Sequence, residues 1–340
     1  MDDQKLRELF DKNTGILFGK AVCIVSKNGE NVFHHNKNCG MESLFDLASV
    51  SKILTATMIF KLIGEGSLAL DQTLDVPFNS APTGNTTKTR FKKITVQSLL
   101  THSSGLPAWF PFYTQTGSFW EILEIALNKY PVNEGTVYSD LGFMLLGEII
   151  TIITARTLLQ NLALLNDDLG TSFTYNPKNA DICVETERGN RIEEGMCKDR
   201  ELSFNDFRSS GVNMRGQVND GNAFYFWKGV AGHAGVFGPA ADLIKLGELY
   251  LNRGKAAEKQ IFPSQLAEKT HIDYGNGRGL MWLLSDVFPD GFGHTGFTGT
   301  SLYICPSKCL VSVILTNRLV MEPAPDLRNF RTEAHKIIYD

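Results

Sequence analysis

Apolar and polar positions alternate in two registers along this chain, and the places where the register changes divide it into elements. Residues 3–13 repeat at helical spacing and predict a short amphipathic helix. Residues 20–25 and 31–34 predict two strands, joined at Lys27-Asn28-Gly29-Glu30, where Asn-Gly marks a tight hairpin. Ile53, Leu54, Met58, Ile59 and Leu62 then recur as one helix, which Gly64 and Gly66 close. Residues 71–87 turn polar and rich in Pro, Gly, Asn and Thr, the mark of a crossing into a second region. From about 95 to 165 the pattern is helical, and Ser139 is placed to cap a long helix through Leu141, Met144, Leu145, Ile149 and Ile153. Residues 165–222, polar and of mixed charge, read as excursions over the surface. Residues 239–252 form another amphipathic pattern, with Leu243, Leu246, Leu249 and Tyr250 on one side and Gly254 beyond its end. Segments 279–284, 300–304 and 310–315 predict three further strands, and 326–338 a final helix.

Strands at both ends and helices between them predict an α+β fold. Its antiparallel sheet of about five strands is built from both termini, flanked by helices, with a mostly helical region inserted. The expected boundaries are 1–75 and 225–340 for the sheet domain and 76–224 for the insertion. The tight connection between 300 and 315 excludes a parallel, doubly wound dinucleotide-binding sheet, whose crossovers need a dozen or more residues.

With 340 residues, 43% hydrophobic and 21% charged, the chain has ample material for a large core. A net charge of −4 argues against a nucleic-acid or anionic-membrane partner, and the cluster Arg90, Lys92, Lys93 is too short to supply a basic footprint. The charged start and the absence of any span-length apolar run lead to the expectation of a cytoplasmic protein. The six cysteines, at 23, 39, 183, 197, 305 and 309, include no C-x-x-C, and adjacent His34 and His35 point to opposite faces of a strand; no metal and no cofactor is expected. Cys305 and Cys309 flank a turn across which they can face each other.

Candidate chemistry begins at Ser49-Val50-Ser51-Lys52, which sets a hydroxyl and an amine one helical turn apart at a helix start. Alone, this is also what an N-capping serine and a snorkelling lysine look like. Tyr138 alone fits a half-buried core tyrosine, and His294 alone a strand-end histidine bonded to backbone. Read in order, however, S-x-x-K at 49–52, Tyr138-Ser139-Asp140, the glycine-rich segment 229–237 and His294-Thr295-Gly296 leading toward a strand form a constellation. It resembles the serine β-lactamase and penicillin-binding-protein superfamily, in the branch that holds class C β-lactamases, D-alanyl-D-alanine carboxypeptidases and related esterases. The resemblance covers nearly the whole chain and implies a β-lactamase/transpeptidase-like fold.

The resemblance implies Ser49 as nucleophile, a neutral or partly neutral Lys52 with Tyr138 moving its proton, and an oxyanion hole from the backbone N–H groups of Ser49 and Phe297. Asp140, His294, Thr295 and Gly296 would contact substrate. Two departures bear on that substrate. Asp140 stands where the family has asparagine and, when ionised, only accepts hydrogen bonds; bonding to Lys52 is its alternative. His294 replaces a lysine, which weakens the attraction for a carboxylate and tilts against a β-lactamase without excluding peptides. His102 reads as a structural turn residue, His233 as either cleft floor or loop brace. The aromatic runs 109–113 and 224–227 read as cleft walls or as satellite core.

The expected activity is that of an S-x-x-K serine hydrolase working through an acyl-enzyme on a small ester, an amide or a muropeptide-like substrate. Esterase and cell-wall-type amidase or peptidase stand level. The alternatives are a penicillin-binding sensor or weak β-lactamase with slow turnover, and a non-catalytic binding module, against which the intact Ser49, Lys52 and Tyr138 speak. Oligomeric state is left open.

Overall fold

The computed structural model describes all 340 residues. Five strands form the main sheet: β1 (Ala21–Lys27), β2 (Glu30–Lys37), β3 (Phe292–Thr295), β4 (Ser301–Cys305) and β5 (Leu310–Thr316). Their order is β2-β1-β5-β4-β3, and every pair is antiparallel, so the two ends of the chain meet at β1–β5. Asn28 and Gly29, both left-handed with φ of 55° and 80°, make the β1–β2 turn that the Asn-Gly pair predicts.

Successive residues of a strand face opposite ways, and here both faces are covered. Ala21, Cys23 and Val25 of β1 join Leu310 and Ile314 of β5 in a core closed by helices α1 (Asp3–Asn13) and α6 (Arg328–Tyr339). Val22, Ile24, Val311, Val313 and Leu315 face the other way, onto α5 (Ala240–Leu251) and the larger core. That core also takes in α2 (Ser51–Gly64) and α3 (Asp140–Thr154), so sheet and inserted helices share one continuous apolar interior. α2 is apolar nearly all round, as a helix buried at the centre of a large protein must be.

Two expectations need correction. Segment 279–284 is not a strand: Met281 adopts φ 76°, which breaks the extended run, and its N–H bonds to the Leu100 carbonyl at 2.7 Å. Leu280, Met281 and Trp282 instead fill the core from a loop that makes only isolated bridges, and β3 is the fifth strand. Nor is 165–222 a set of surface excursions. Tyr175, Val184, Met214 and Val218 are buried, and helix α4 (Arg191–Lys198) presents Glu193 to a cleft beside Ser49. Cys305 is buried, Cys309 exposed, and both are free thiols.

Candidate active site

Ser49 lies in the single turn Ala48–Val50 that runs directly into α2, with Lys52 in the first turn of that helix. The segment before it is held from two sides. Asp46, wholly buried, accepts the N–H groups of Ala48 (2.9 Å) and Asn219 (2.7 Å) on its carboxylate. Thr298 and Thr300, beyond the end of β3, donate their hydroxyls to the carbonyls of Asp46 (2.7 Å) and Leu47 (3.0 Å). Gly296 explains the small residue in His-Thr-Gly: a Cβ there would stand 2.6 Å from the Leu47 carbonyl oxygen and against Ala48, so only glycine lets the strand end lie beside the turn that carries Ser49. The Phe297 N–H that follows makes no hydrogen bond within the protein.

Lys52 is completely buried, and its ammonium has three donors and three acceptors: Ser49 Oγ at 3.0 Å, the His233 carbonyl at 2.9 Å and Asp140 Oδ1 at 2.7 Å. Burial alone would pull its pKa down; the Asp140 carboxylate, with Tyr138 behind it, outweighs burial and holds the amine above its ordinary value. The expectation of a neutral Lys52 is therefore corrected: its resting form is the ammonium. Asp140 owes its position to α3, whose first residue it is, with Ser139 as N-cap accepting the Gly142 N–H. Tyr138 sits just before, its ring 5.1 Å from the Lys52 ammonium, and its buried hydroxyl has no partner in the protein.

The remaining histidines separate in role. His102, at φ 58°, accepts the Ser139 N–H on Nδ1 (3.0 Å) and packs at a tilt against Tyr138 with ring centres 4.4 Å apart. It braces the tyrosine's turn from behind. His294 donates from Nδ1 to the Thr295 carbonyl (2.9 Å), which leaves Nε2 as an unpartnered acceptor. Burial, then the charges of Lys52 and Arg278, pull its pKa to about 3, so it is neutral and cannot stand in for a lysine. His233 gives its carbonyl to Lys52 and its Nε2 to Asp220 at 2.9 Å, so it is both cleft floor and loop brace.

Ser49 stands between two lobes of one cleft. The larger, about 510 Å³, is lined by Ser49, Tyr138, His294, Thr295, Gly296 and Phe297 together with Arg278, Arg318 and Arg331. The smaller, about 180 Å³, adds Lys52, Asp140, Trp109, Glu193, Asp220 and His233. Every site residue expected from the sequence thus borders this cleft. Of the aromatic runs only Trp109 does; Phe110 and Phe112 are core, the latter stacked on Phe119 at 5.5 Å.

Residues 17–336 match the profile of the family described as Beta-lactamase. The chain belongs to the beta-lactamase family. An N-acetylmuramyl-L-alanine amidase of Bacillus subtilis (strain 168) is 28% identical, over 93% of this chain and 80% of that protein. A protein of Escherichia coli (strain K12), provisionally named D-alanyl-D-alanine carboxypeptidase, is 28% identical over 91% of this chain and 77% of its own length. Among solved structures, the octameric penicillin-binding protein homologue from Pyrococcus abyssi superposes with a TM-score of 0.74 at 19% identity, covering 100% of this chain and 78% of that one. The antiparallel five-stranded sheet with its many helices is the beta-lactamase and penicillin-binding-protein fold, and the chain is a serine hydrolase of that type.

Sequence reasoning missed six charged residues of this beta-lactamase-family cleft, the exposed Asp326 among them. Arg278, Arg318 and Arg331 come from a loop, a turn and α6; Glu193 and Asp220 come from the polar stretch read as surface. Single charges in unrelated segments leave no local pattern, and only folding assembles them.

Proposed function

We propose that this enzyme is an S-x-x-K amidase or peptidase whose substrates carry a carboxylate in the leaving half, as short peptides of the cell-wall type do. The observation that carries this reading is the arginine wall. Arg278 makes no ion pair, its guanidinium resting 5.3 Å from the Tyr138 ring centre. Arg331 reaches only the carbonyls of Gly296 and Thr300, both at 3.1 Å, with its Nε unpartnered, and Arg318 reaches those of Phe297 and Pro325. The one acid on this wall is the exposed Asp326. Guanidinium forks that form no ion pair, set beside a nucleophile, match a carboxylate or similar anion. They supply the charge that a neutral His294 does not. The names of the amidase and carboxypeptidase relatives support the same reading.

In this mechanism Lys52 passes a proton to Asp140 as it takes one from Ser49, and Ser49 Oγ attacks the scissile carbonyl. The oxyanion is received by the N–H groups of Ser49 and Phe297. On collapse the C–N bond breaks, the leaving amine takes the proton of Tyr138, and Lys52, replenished from Asp140, returns one to the phenolate. Water repeats the sequence on the acyl-enzyme. The deciding experiment compares hydrolysis of N-acyl-D-alanyl-D-alanine with that of its C-terminal amide. In Arg278→Gln, kcat/KM for the acid should fall by about a hundredfold while the amide changes little. Equal losses for both, or turnover surviving in Ser49→Ala, would overturn the assignment; one-for-one penicillin labelling without turnover of any substrate would leave a sensor instead.

A further inference from the structure

The smaller lobe of the cleft has the opposite character to the arginine wall. It is lined by Asp140, Glu193 and Asp220, with His233 at its floor and Trp109 and Met196 as apolar walls. Lys52, its one cation, has all three N–H groups committed. Asp140 Oδ1 is taken by Lys52, and Asp220 Oδ1 by the Ala223 N–H (2.7 Å) and His233 Nε2 (2.9 Å), so the second oxygen of each has no partner. Glu193 accepts from the Tyr113 hydroxyl (2.9 Å) and the Gly221 N–H (2.7 Å). His233 is wholly buried, and its Nδ1 has no hydrogen-bond partner. Nε2 faces the Asp220 carboxylate and donates to it, so in the neutral ring Nδ1 is an acceptor. Away from the serine, where Tyr138 and Phe297 border the lobe, the free oxygens of Asp140 and Asp220 are acceptors.

We propose that this lobe binds a protonated amine on the acyl half of the substrate, so that the preferred substrates are short peptides or amides with a free amino group near the scissile carbonyl. The proposal rests on the acyl-transfer reading above. With the leaving half on the arginine wall and the carbonyl at Ser49, the acyl half is placed toward this lobe on the other side of the serine. An ammonium offers three donors and no acceptor, the complement of these positions, whereas an acylated nitrogen would leave them desolvated and unmatched. A volume of about 180 Å³ suits a compact aminoacyl group. Burial, with the Asp220 charge beside it, pushes Glu193 up to about 8, so at neutral pH Glu193 is largely protonated and Asp220 carries negative charge in the lobe.

The test is binding of D-alanyl-D-alanine and of N-acetyl-D-alanyl-D-alanine to the Ser49→Ala protein, measured by calorimetry at neutral pH. The two ligands share the carboxylate and differ only at the amine. The free amine should bind at least about tenfold more tightly, and the preference should vanish in Ser49→Ala/Met196→Lys, where a lysine from a half-buried wall position brings its own cation into the lobe. Equal, weaker or undetectable binding of the free amine would overturn the proposal, as would a preference untouched by Met196→Lys. Hydrolysis by the parent protein is read separately. Turnover without amine preference would reject this inference alone, and amine preference without turnover or labelling would reject the acyl-transfer reading alone.

Discussion

Lys52 Nζ lies 2.7 Å from Asp140 Oδ1, and this contact joins the first turn of α2 to the first turn of α3. A buried ammonium held by one carboxylate gives a proton relay rather than a free base, with Ser49 at one end and Asp140 at the other. Because the folded pKa of Lys52 is raised, the stabilisation that comes from its protonation is present below the ordinary lysine value and is lost as pH rises through the folded one. Around neutrality it is intact.

Asp140→Asn keeps the shape but removes the countercharge. Breaking a buried pair from one side leaves its partner uncompensated, so unfolding free energy should fall by about 2 kcal/mol, and Lys52→Met/Asp140→Asn should recover most of that loss. Both variants should acylate at least about a hundredfold more slowly, since the relay has lost an end. Denaturant melts and stopped-flow acylation read the two effects. An Asp140→Asn protein as stable as the parent would show that Lys52 rests uncharged.

How far these features were legible depends on how local they are. The one-turn spacing of Ser49 and Lys52, the Asn28-Gly29 turn and the alternation along Ala21 to Val25 are short-range, and each is present in the fold as the pattern implies. Apolar residues at 280–282 mimic a strand because burial, not extension, selects them; the left-handed Met281 breaks the run without leaving a mark in the pattern. Polar residues around Glu193 and Asp220 look like solvated loop because a cleft lined with acids needs the same residue types. The state of Lys52 is hidden from the pattern for a related reason: its burial follows from the helix, but the reach of Asp140 depends on how α2 packs on α3.

Buried histidines give the fold an acid limit. His335 on α6 is wholly buried, donates from Nδ1 to the Val287 carbonyl at 2.8 Å, and packs on the rings of Phe288 and Tyr303. Burial pulls its pKa down to about 4. As pH falls below the ordinary histidine value, the unfolded chain takes up this proton before the folded one does, so stability decreases with falling pH and levels off below the folded value. Between neutrality and mildly acidic conditions this one residue should cost about 2 kcal/mol, because each unit of differential protonation is worth about 1.4 kcal/mol. Denaturant melts at both conditions should show a correspondingly smaller loss in His335→Gln. Identical losses in parent and variant would mean that His335 titrates alike in both states.

Tyr138 opposes stability to chemistry. Its hydroxyl is buried without a partner while its ring packs between His102 and the ammonium of Lys52, so the ring holds the residue in place and the oxygen adds a desolvation cost. Tyr138→Phe retains the ring and removes the unmatched group, so it should be as stable as the parent or more stable by about 1 kcal/mol. In the proposed mechanism the same substitution removes the acid that protonates the leaving amine. Amide hydrolysis should therefore fall by about two to four orders of magnitude, while a nitrophenyl ester, whose leaving group departs without a proton, should lose far less. Thermal melts and the two rate ratios separate the roles. If amide and ester slow by the same factor, the proton reaches the leaving group by another route, through Lys52. If instead Tyr138→Phe is less stable than the parent, the hydroxyl has a partner in solution that holds this corner of the cleft together.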